Sequence, residues 1–393
     1  MDPFVGKVLR AIVLSAIVAL AVAPAALADQ SDNIQVVQQI PMDWANEIEF
    51  DGSTLYINQY ADNGPNMGVT SFERNAKGTL RKTGHLECRG ITDTAALDDG
   101  FVAIGLQQGG EKCNEPPGPL SGYAGGVHLA DMSAPSQPTL LANITLPGGI
   151  HTLTRYPSHP YVYASIGGYE TQAVFGQGSE YIIDVSDPRT PELAATYRSP
   201  LNPGGCHDVT FAVIKAQTIG FCPGQGGTEI WDASDPLAPN PIARMVLPFI
   251  QLPHQVAVSS DGKIAAISDE AYLTHGCTGG GPPGALWFYD ISDLKNPTYL
   301  GFYGPRRGSA PVSLPLLANC TAHNFNFIPN TRLLVVAWYD GGTTVLDLED
   351  PAAASEIAHY SPADAYAMSS YWYRGRIYVA DFYRGVEVLR FKR

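Results

Sequence analysis

Basic residues are scarce in this chain: 24 Lys and Arg stand against 38 Asp and Glu, a formal charge of −14. A surface that acidic repels nucleic acid and anionic lipid, so neither is the expected main partner. Long apolar runs are also missing after residue 28, which leaves no later segment suited to span a bilayer. Long amphipathic helices are not apparent either. The sequence has no Gly-x-Ser-x-Gly elbow, no phosphate-cradling glycine loop and no His-Glu-x-x-His pair. The best-known local signatures of serine hydrolases, nucleotide enzymes and zinc peptidases are therefore absent.

The one long apolar run lies at the start. Lys7 and Arg10 precede residues 11–28, which close on Ala26-Leu27-Ala28 just before Asp29. That is the layout of a secretory signal peptide, residues 1–28, cleaved after Ala28. The competing reading is an uncleaved anchor, but the run is near the lower length limit for a span and breaks at Pro24. The expected product is a secreted or extracytoplasmic chain of residues 29–393. It carries no stable membrane insertion and is expected to be a monomer.

Forty Gly and 31 Pro accompany 20 Tyr and abundant Val and Ile, a composition of many short strands and turns. The fold class read from it is all-β. A strand-plus-turn then recurs: Tyr181-Ile-Ile-Asp-Val-Ser-Asp-Pro188, Ile230-Trp-Asp-Ala-Ser-Asp-Pro236, Phe288-Tyr-Asp-Ile-Ser-Asp293 and Val345-Leu-Asp-Leu-Glu-Asp-Pro351. Asp and Ser bond nearby backbone amides there, and Pro presets the turn while ending the ladder. A degenerate copy begins at His128. Around each turn the chain divides into four strands, and inner strands are predicted to start near Trp44, Gly90, His151, His207, His254, His323 and Ala367. The last block stops after its third strand, Gly385 to Arg390. Ile34 to Ile40 is the natural donor of the fourth. The predicted fold is a seven-bladed β-propeller of four-stranded antiparallel blades, its ring closed by the N-terminal strand.

These turns, with the His207-Asp208-Val209 start of an inner strand, resemble the LVIVD-repeat family of extracytoplasmic propellers. The resemblance is strong from about residue 125 to 393 and weak before it. It implies the blade and not a reaction. The first two blades lack the Asp-Ser-Asp turn, so their boundaries are the least defined.

Six cysteines in an exported chain suggest disulfides. Cys88 and Cys113 flank one inner hairpin and Cys206 and Cys222 another, and the ends of a hairpin lie within bridging distance. Cys277 and Cys320 sit on neighbouring rims. The favoured pairs are 88–113, 206–222 and 277–320. The alternative makes some of them free thiols or metal ligands.

Four of the nine histidines, His151, His207, His254 and His323, occupy the start of an inner strand. Successive inner strands ring the mouth of a propeller's channel, so the four imidazoles are predicted to converge there. Such a cluster suits a transition metal ion, copper, zinc or iron. Asp269 and Glu270, Asp340 and Asp381 end second strands on the same rim. Asp269, Asp340 and Asp381, with His207 and His254, are the candidate acids and bases. Tyr272, Trp338, Tyr339, Tyr366, Trp372 and Tyr383 are candidate walls of a pocket. The plain alternatives are a packing role for the imidazoles, solvated rim carboxylates and aromatics that fill the spaces between blades.

The sequence thus supports an exported enzyme with a histidine-rich, metal-binding site at the channel mouth, acting on a small organic substrate by redox, lyase or cyclisation chemistry. The competing class is a non-catalytic extracytoplasmic binding module for a cell-envelope protein or glycan.

Overall fold

A computed structural model of the chain describes residues 29–60, 67–88, 90–107, 113, 124–166, 180–271, 281–306 and 320–393. Among them, five antiparallel sheets of four strands follow one another. The first runs from Ala45–Asp51 to Leu80–Glu87 and the second from Ile91–Ala96 to Thr139–Pro147. The third runs from Thr152–Arg155 to Glu192–Tyr197, the fourth from Thr210–Ile214 to Asn240–Met245 and the fifth from Pro253–Val258 to Thr298–Tyr303.

The remaining strands form one nine-stranded sheet. Its first half is a meander from Asn324–Phe327 to Ser355–Ser361, with Asp29–Gln30 on its outer edge. Its second half is Ala367–Tyr373, Arg376–Asp381 and Gly385–Phe391. Ile34–Ile40 adds antiparallel to Gly385–Phe391, from Ile34 opposite Phe391 to Ile40 opposite Val386. The halves meet through two parallel pairs, Asn324 with Ser369 and Phe325 with Ser370, and an isolated antiparallel bridge between Tyr339 and Ala367.

The repeated turn works as its chemistry requires. Asp184, Asp232 and Asp290 end third strands, and each Oδ1 accepts the backbone N–H two residues on, at 2.8, 3.0 and 2.8 Å. A second aspartate, Asp187, Asp235 or Asp293, does the same for the next corner at 2.9 to 3.0 Å. Two short-range acceptors thus reverse the chain before the outer strand, where a strand ladder could not continue.

Apolar side chains bridge every neighbouring pair of sheets. Leu129 and Leu153 join the second and third. Phe221 and Trp287 join the fourth and fifth, and Phe288 and Phe325 join the fifth to the nine-stranded sheet. Ile48 and Leu55 of the first sheet pack on Tyr378 and Val388, near the end of the chain. The contacts therefore run in a cycle. Each such buried aliphatic or aromatic side chain contributes about 1.5–3 kcal/mol.

Cys88–Cys113 and Cys206–Cys222 are disulfides, with Cα separations of 4.6 and 5.0 Å. They lie where the hairpin reading put them. Cys320 is also disulfide-bonded. Cys277, like Tyr272 and the segment 1–28, lies outside the described residues.

Candidate functional site

The four histidines do converge. Ring centroids of His151 and His207 are 4.5 Å apart, those of His207 and His254 4.2 Å, and those of His254 and His323 4.3 Å. Side chains from four inner strands or their leading residues thus make one continuous arc. Hydrogen bonds between those strands hold its spacing. Thr92 Oγ1 donates to the Ile150 carbonyl at 2.6 Å, and Thr154 Oγ1 to the Val209 carbonyl at 2.6 Å. Thr152 Oγ1 donates to the carbonyl of His207 itself at 2.5 Å.

Glu270 reaches into this arc. Its Oε2 is 3.5 Å from Nε2 of both His207 and His254, and its Oε1 is 3.6 Å from Nε2 of His323. The Tyr339 hydroxyl donates to Oε1. Tyr339 takes that position with φ at 47°, a left-handed conformation that costs a non-glycine residue energy.

Glu270 was grouped with Asp269 in the sequence, and the two divide the work. Asp269 accepts backbone N–H groups of Gln251, Leu252 and Gly284 at 3.0, 2.8 and 3.4 Å, which fixes the loop leading into the fifth sheet. Asp381 likewise accepts from Tyr366, Tyr383 and Arg384 at 2.7, 2.9 and 3.0 Å. Asp340 is buried in the turn from Trp338 to Gly342. None of these three aspartates is among the residues lining the central cavity.

Burial keeps all four imidazoles neutral at pH 7. It pushes His151 and His323 down to about 4. His207 and His254 are held well below the usual imidazole range by burial first and by the neighbouring imidazoles second. His323 Nδ1 lies 2.6 Å from the Met368 carbonyl, which can only accept, so the proton sits on Nδ1 and Nε2 keeps its lone pair. His151 Nδ1 makes a similar contact with Gln107 Oε1 at 3.0 Å. Nδ1 of His207 and of His254 has no hydrogen-bond partner among the described residues. Among those residues, His207, His254 and Glu270 are the only three ligand-type side chains whose donor atoms all lie within 4.8 Å of one another.

The arc opens onto a cavity of about 500 Å³. Tyr60, Phe382, Tyr366 and Tyr339 form one wall, with Phe382 stacked at 5.9 Å on Tyr60 and at 5.3 Å on Tyr366. Of the aromatics singled out in the sequence, Tyr339 and Tyr366 line the cavity. Trp338 instead packs on Tyr303 and donates to Thr344, Trp372 is partly buried against the core of the nine-stranded sheet, and Tyr383 is 43% exposed.

Sequence reasoning missed a second tier of carboxylates. Glu47, Glu49, Asp93 and Asp208 also line the cavity. Glu47, Asp93 and Asp208 lie one residue past Asn46, Thr92 and His207. Only Asp208 carried a signal, its place after His207 in the His-Asp-Val start of an inner strand.

No protein-family model and no curated protein matches the chain by sequence. Its architecture does match solved structures. The WD40 repeats of RRP9 align at a TM-score of 0.59 and 8% identity, over 93% of this chain and 99% of that one. The WD40 β-propeller domain of Doa1 aligns at 0.59 and 10%, over 92% and 97%. A protein from Lactobacillus plantarum aligns at 0.60 and 12%, over 84% and 88%. At such identities the likeness speaks for architecture alone, and with the cyclic order of four-stranded sheets it makes this chain a β-propeller.

Proposed function

We propose that the chain is an exported seven-bladed propeller of the LVIVD-repeat kind, holding one transition metal ion at its channel mouth and acting there on a small organic molecule. In this reading the nine-stranded sheet is two blades joined at their inner strands, and Ile34–Ile40 closes the ring as the outer strand of the last. The paired cysteines are consistent with export.

The observation that carries the proposal is the placement of Glu270 Oε2 at 3.5 Å from two imidazole Nε2 atoms. That is too long for a good N–H···O bond. It is close to the edge of a tetrahedron around an ion with bonds of about 2.1 Å, which is about 3.4 Å. Two neutral imidazoles and a carboxylate are a donor set for zinc, iron or copper. His323 and His151 flank it with their Nε2 lone pairs free of the proton. Tyr339 fixes Glu270, and the Met368 carbonyl fixes His323, as groups behind metal ligands do.

When bound, the ion would supply Lewis-acid or redox chemistry. The protein's own part is to hold neutral imidazoles in an arc and to present the aromatic wall to the substrate. Elemental analysis of protein purified from its native export route tests the proposal. About one copper, zinc or iron per chain is expected, lost in His207→Ala and His254→Ala while the circular dichroism spectrum is kept. A metal content of zero overturns it.

A second reading has one observation on its side. Met368 and Gln107 satisfy two of the four rings without any ion. The arc would then be a packing device in a non-catalytic binding module for a cell-envelope protein or glycan. Metal-free exported protein would favour that reading.

A further inference from the structure

The second tier of the cavity has a chemistry of its own. Glu47, Glu49, Asp93 and Asp208 all face one space, and among the residues lining it Arg155 is the only lysine or arginine. The Arg155 guanidinium is already engaged, 2.5 Å from the exposed carboxylate of Asp98. Asp208 accepts no hydrogen bond among the described residues. The cavity therefore gathers four carboxyl groups, each raised above the usual carboxylate range by burial, Glu49 to about 8. Among the described residues lining it there is no second cation that would hold them ionised.

An independent feature points the same way. Asn324 is 6% exposed, and its amide nitrogen is committed to Glu47 Oε2 and, at 3.3 Å, to Ser369 Oγ. Its Oδ1 has no hydrogen-bond partner among the described residues. It is a buried acceptor on the cavity wall, and leaving such a group unmet costs about 1–3 kcal/mol. Gln255, beside it, already spends its Oε1 on the Phe325 N–H at 2.9 Å. Glu47, Glu49 and Asp93 already accept from backbone or side-chain donors, so what the tier lacks is a donor for Asn324 Oδ1 and for Asp208.

The shape of the tier decides the kind of donor. A bare ion needs its ligands within one coordination sphere. Among the described residues only His207, His254 and Glu270 meet that condition, and the four carboxylates of the second tier do not. They suit a cation several ångströms across, with more than one N–H to give. Tyr60, Phe382 and Tyr366 line the same space, and an aromatic wall suits the apolar part of an organic cation better than it suits a hydrated ion. A volume of about 500 Å³ fits a molecule of modest size.

We propose that the cavity selects a small organic molecule carrying a protonated amine, seated among Glu47, Glu49, Asp93, Asp208 and the Asn324 Oδ1. The apolar remainder lies against the Tyr60–Phe382–Tyr366 wall, with its far end at the histidine arc. The proposal names the substrate class for the metal-centre reading and rests on it only for the word substrate. Recognition of the amine needs no metal.

Isothermal titration calorimetry on the exported protein tests this with phenethylamine, 2-phenylethanol and phenylacetate, which share a ring and differ in the charged end. The amine should bind at least tenfold more tightly than the alcohol, and phenylacetate should not bind. Glu49→Gln and Asp208→Asn should each weaken the amine about tenfold and leave the alcohol unchanged, with melting temperature recorded to show that both fold. Equal binding of the three probes, absence of amine binding, or displacement of the amine by an equal concentration of calcium each overturns the proposal. Metal content read on the same samples separates the two ideas. Amine selectivity in metal-free protein leaves this one standing and sinks the metal centre, while a metal without amine selectivity does the reverse.

Discussion

The Nδ1–H of His323, on one inner strand, donates to the carbonyl of Met368 on the next, at 2.6 Å. This single bond decides which nitrogen faces Glu270, and it couples the site to the seam between two halves of the nine-stranded sheet. Nitrogen NMR of the neutral protein should find His323 in the Nδ1–H tautomer. His323→Ala should lower metal occupancy and also destabilise the fold by about 1–3 kcal/mol, because the buried carbonyl loses its donor. A His323 found as the Nε2–H tautomer contradicts the geometry.

Neighbouring residues Asp269 and Glu270 should fail in different ways. Glu270→Gln keeps the shape, loses the anionic ligand and should cut metal affinity at least tenfold at nearly unchanged melting temperature. Asp269→Ala leaves three backbone N–H groups without their acceptor and should cost about 2 kcal/mol of stability or more. Equal effects of the two on melting and metal content would erase the division drawn between them.

Stability should fall as pH rises from about 4.5 to about 7 through Glu180. Burial raises this carboxyl to about 7, although Ser165 and the Cys206 N–H hold it at 2.6 and 2.8 Å. Between the unfolded value near 4.5 and the folded one, the native state holds a proton that the unfolded chain has lost. The stability that this gives is full below about 4.5 and gone above about 7. The lowered imidazoles act in the opposite sense, adding stability as pH rises from about 4 to about 6.5. Glu180→Gln isolates the carboxyl's part: in chemical denaturation, stability at pH 8 relative to that at pH 5 should be higher in the variant than in the parent, by on the order of 1–3 kcal/mol. An unchanged difference removes Glu180 from the account.

Removing residues 29–41 takes away the partner of Gly385–Phe391 and leaves that strand's ladder open to solvent. The truncated chain should aggregate or lose cooperative unfolding in urea, followed by light scattering and fluorescence. A monomer with unchanged melting would mean that the strand contributes little to holding the ring.

The Cys206–Cys222 bridge closes a segment of 16 residues, and its loss should cost about 3 kcal/mol. Because Cys206 precedes His207, the double serine variant should also loosen the metal site. Non-reducing peptide mapping checks the pairing, and six free thiols in exported protein would refute it.

The later sheets were legible because a local code marks them: an apolar strand into Asp, then a turn that needs Ser, Asp or Pro. The strand after His254 was expected as 255–258 and is Pro253–Val258, and Leu333–Ala337 falls within one residue of its reading. The histidine arc was legible for the same reason, since one position recurring in a ring must converge. Glu270 could not be separated from Asp269 without the fold. They are adjacent, and a strand end turns one toward backbone amides and the other toward the channel. The inner strands near Trp44 and Gly90 were aligned with those of His207 and His254, and Arg89 to Asp93 was placed in the same zone. The first two sheets lack the marking turn, however, so their register was too poorly defined to single out Glu47, Glu49 or Asp93.

The hydrogen bonds from Thr92 to Ile150, from Thr152 to His207 and from Ser369 to Asn46 run around the channel, not along any sheet. Together they behave as a hoop, and the girth of that hoop sets how far apart the imidazoles stand. A wedge driven into it on the side away from the histidines, where Ser369 meets Asn46, would spread the whole arc without touching a ring. The bore of the channel is thus a gauge for whatever the four imidazoles would hold, and the mutations that would retune it most finely lie on the opposite wall.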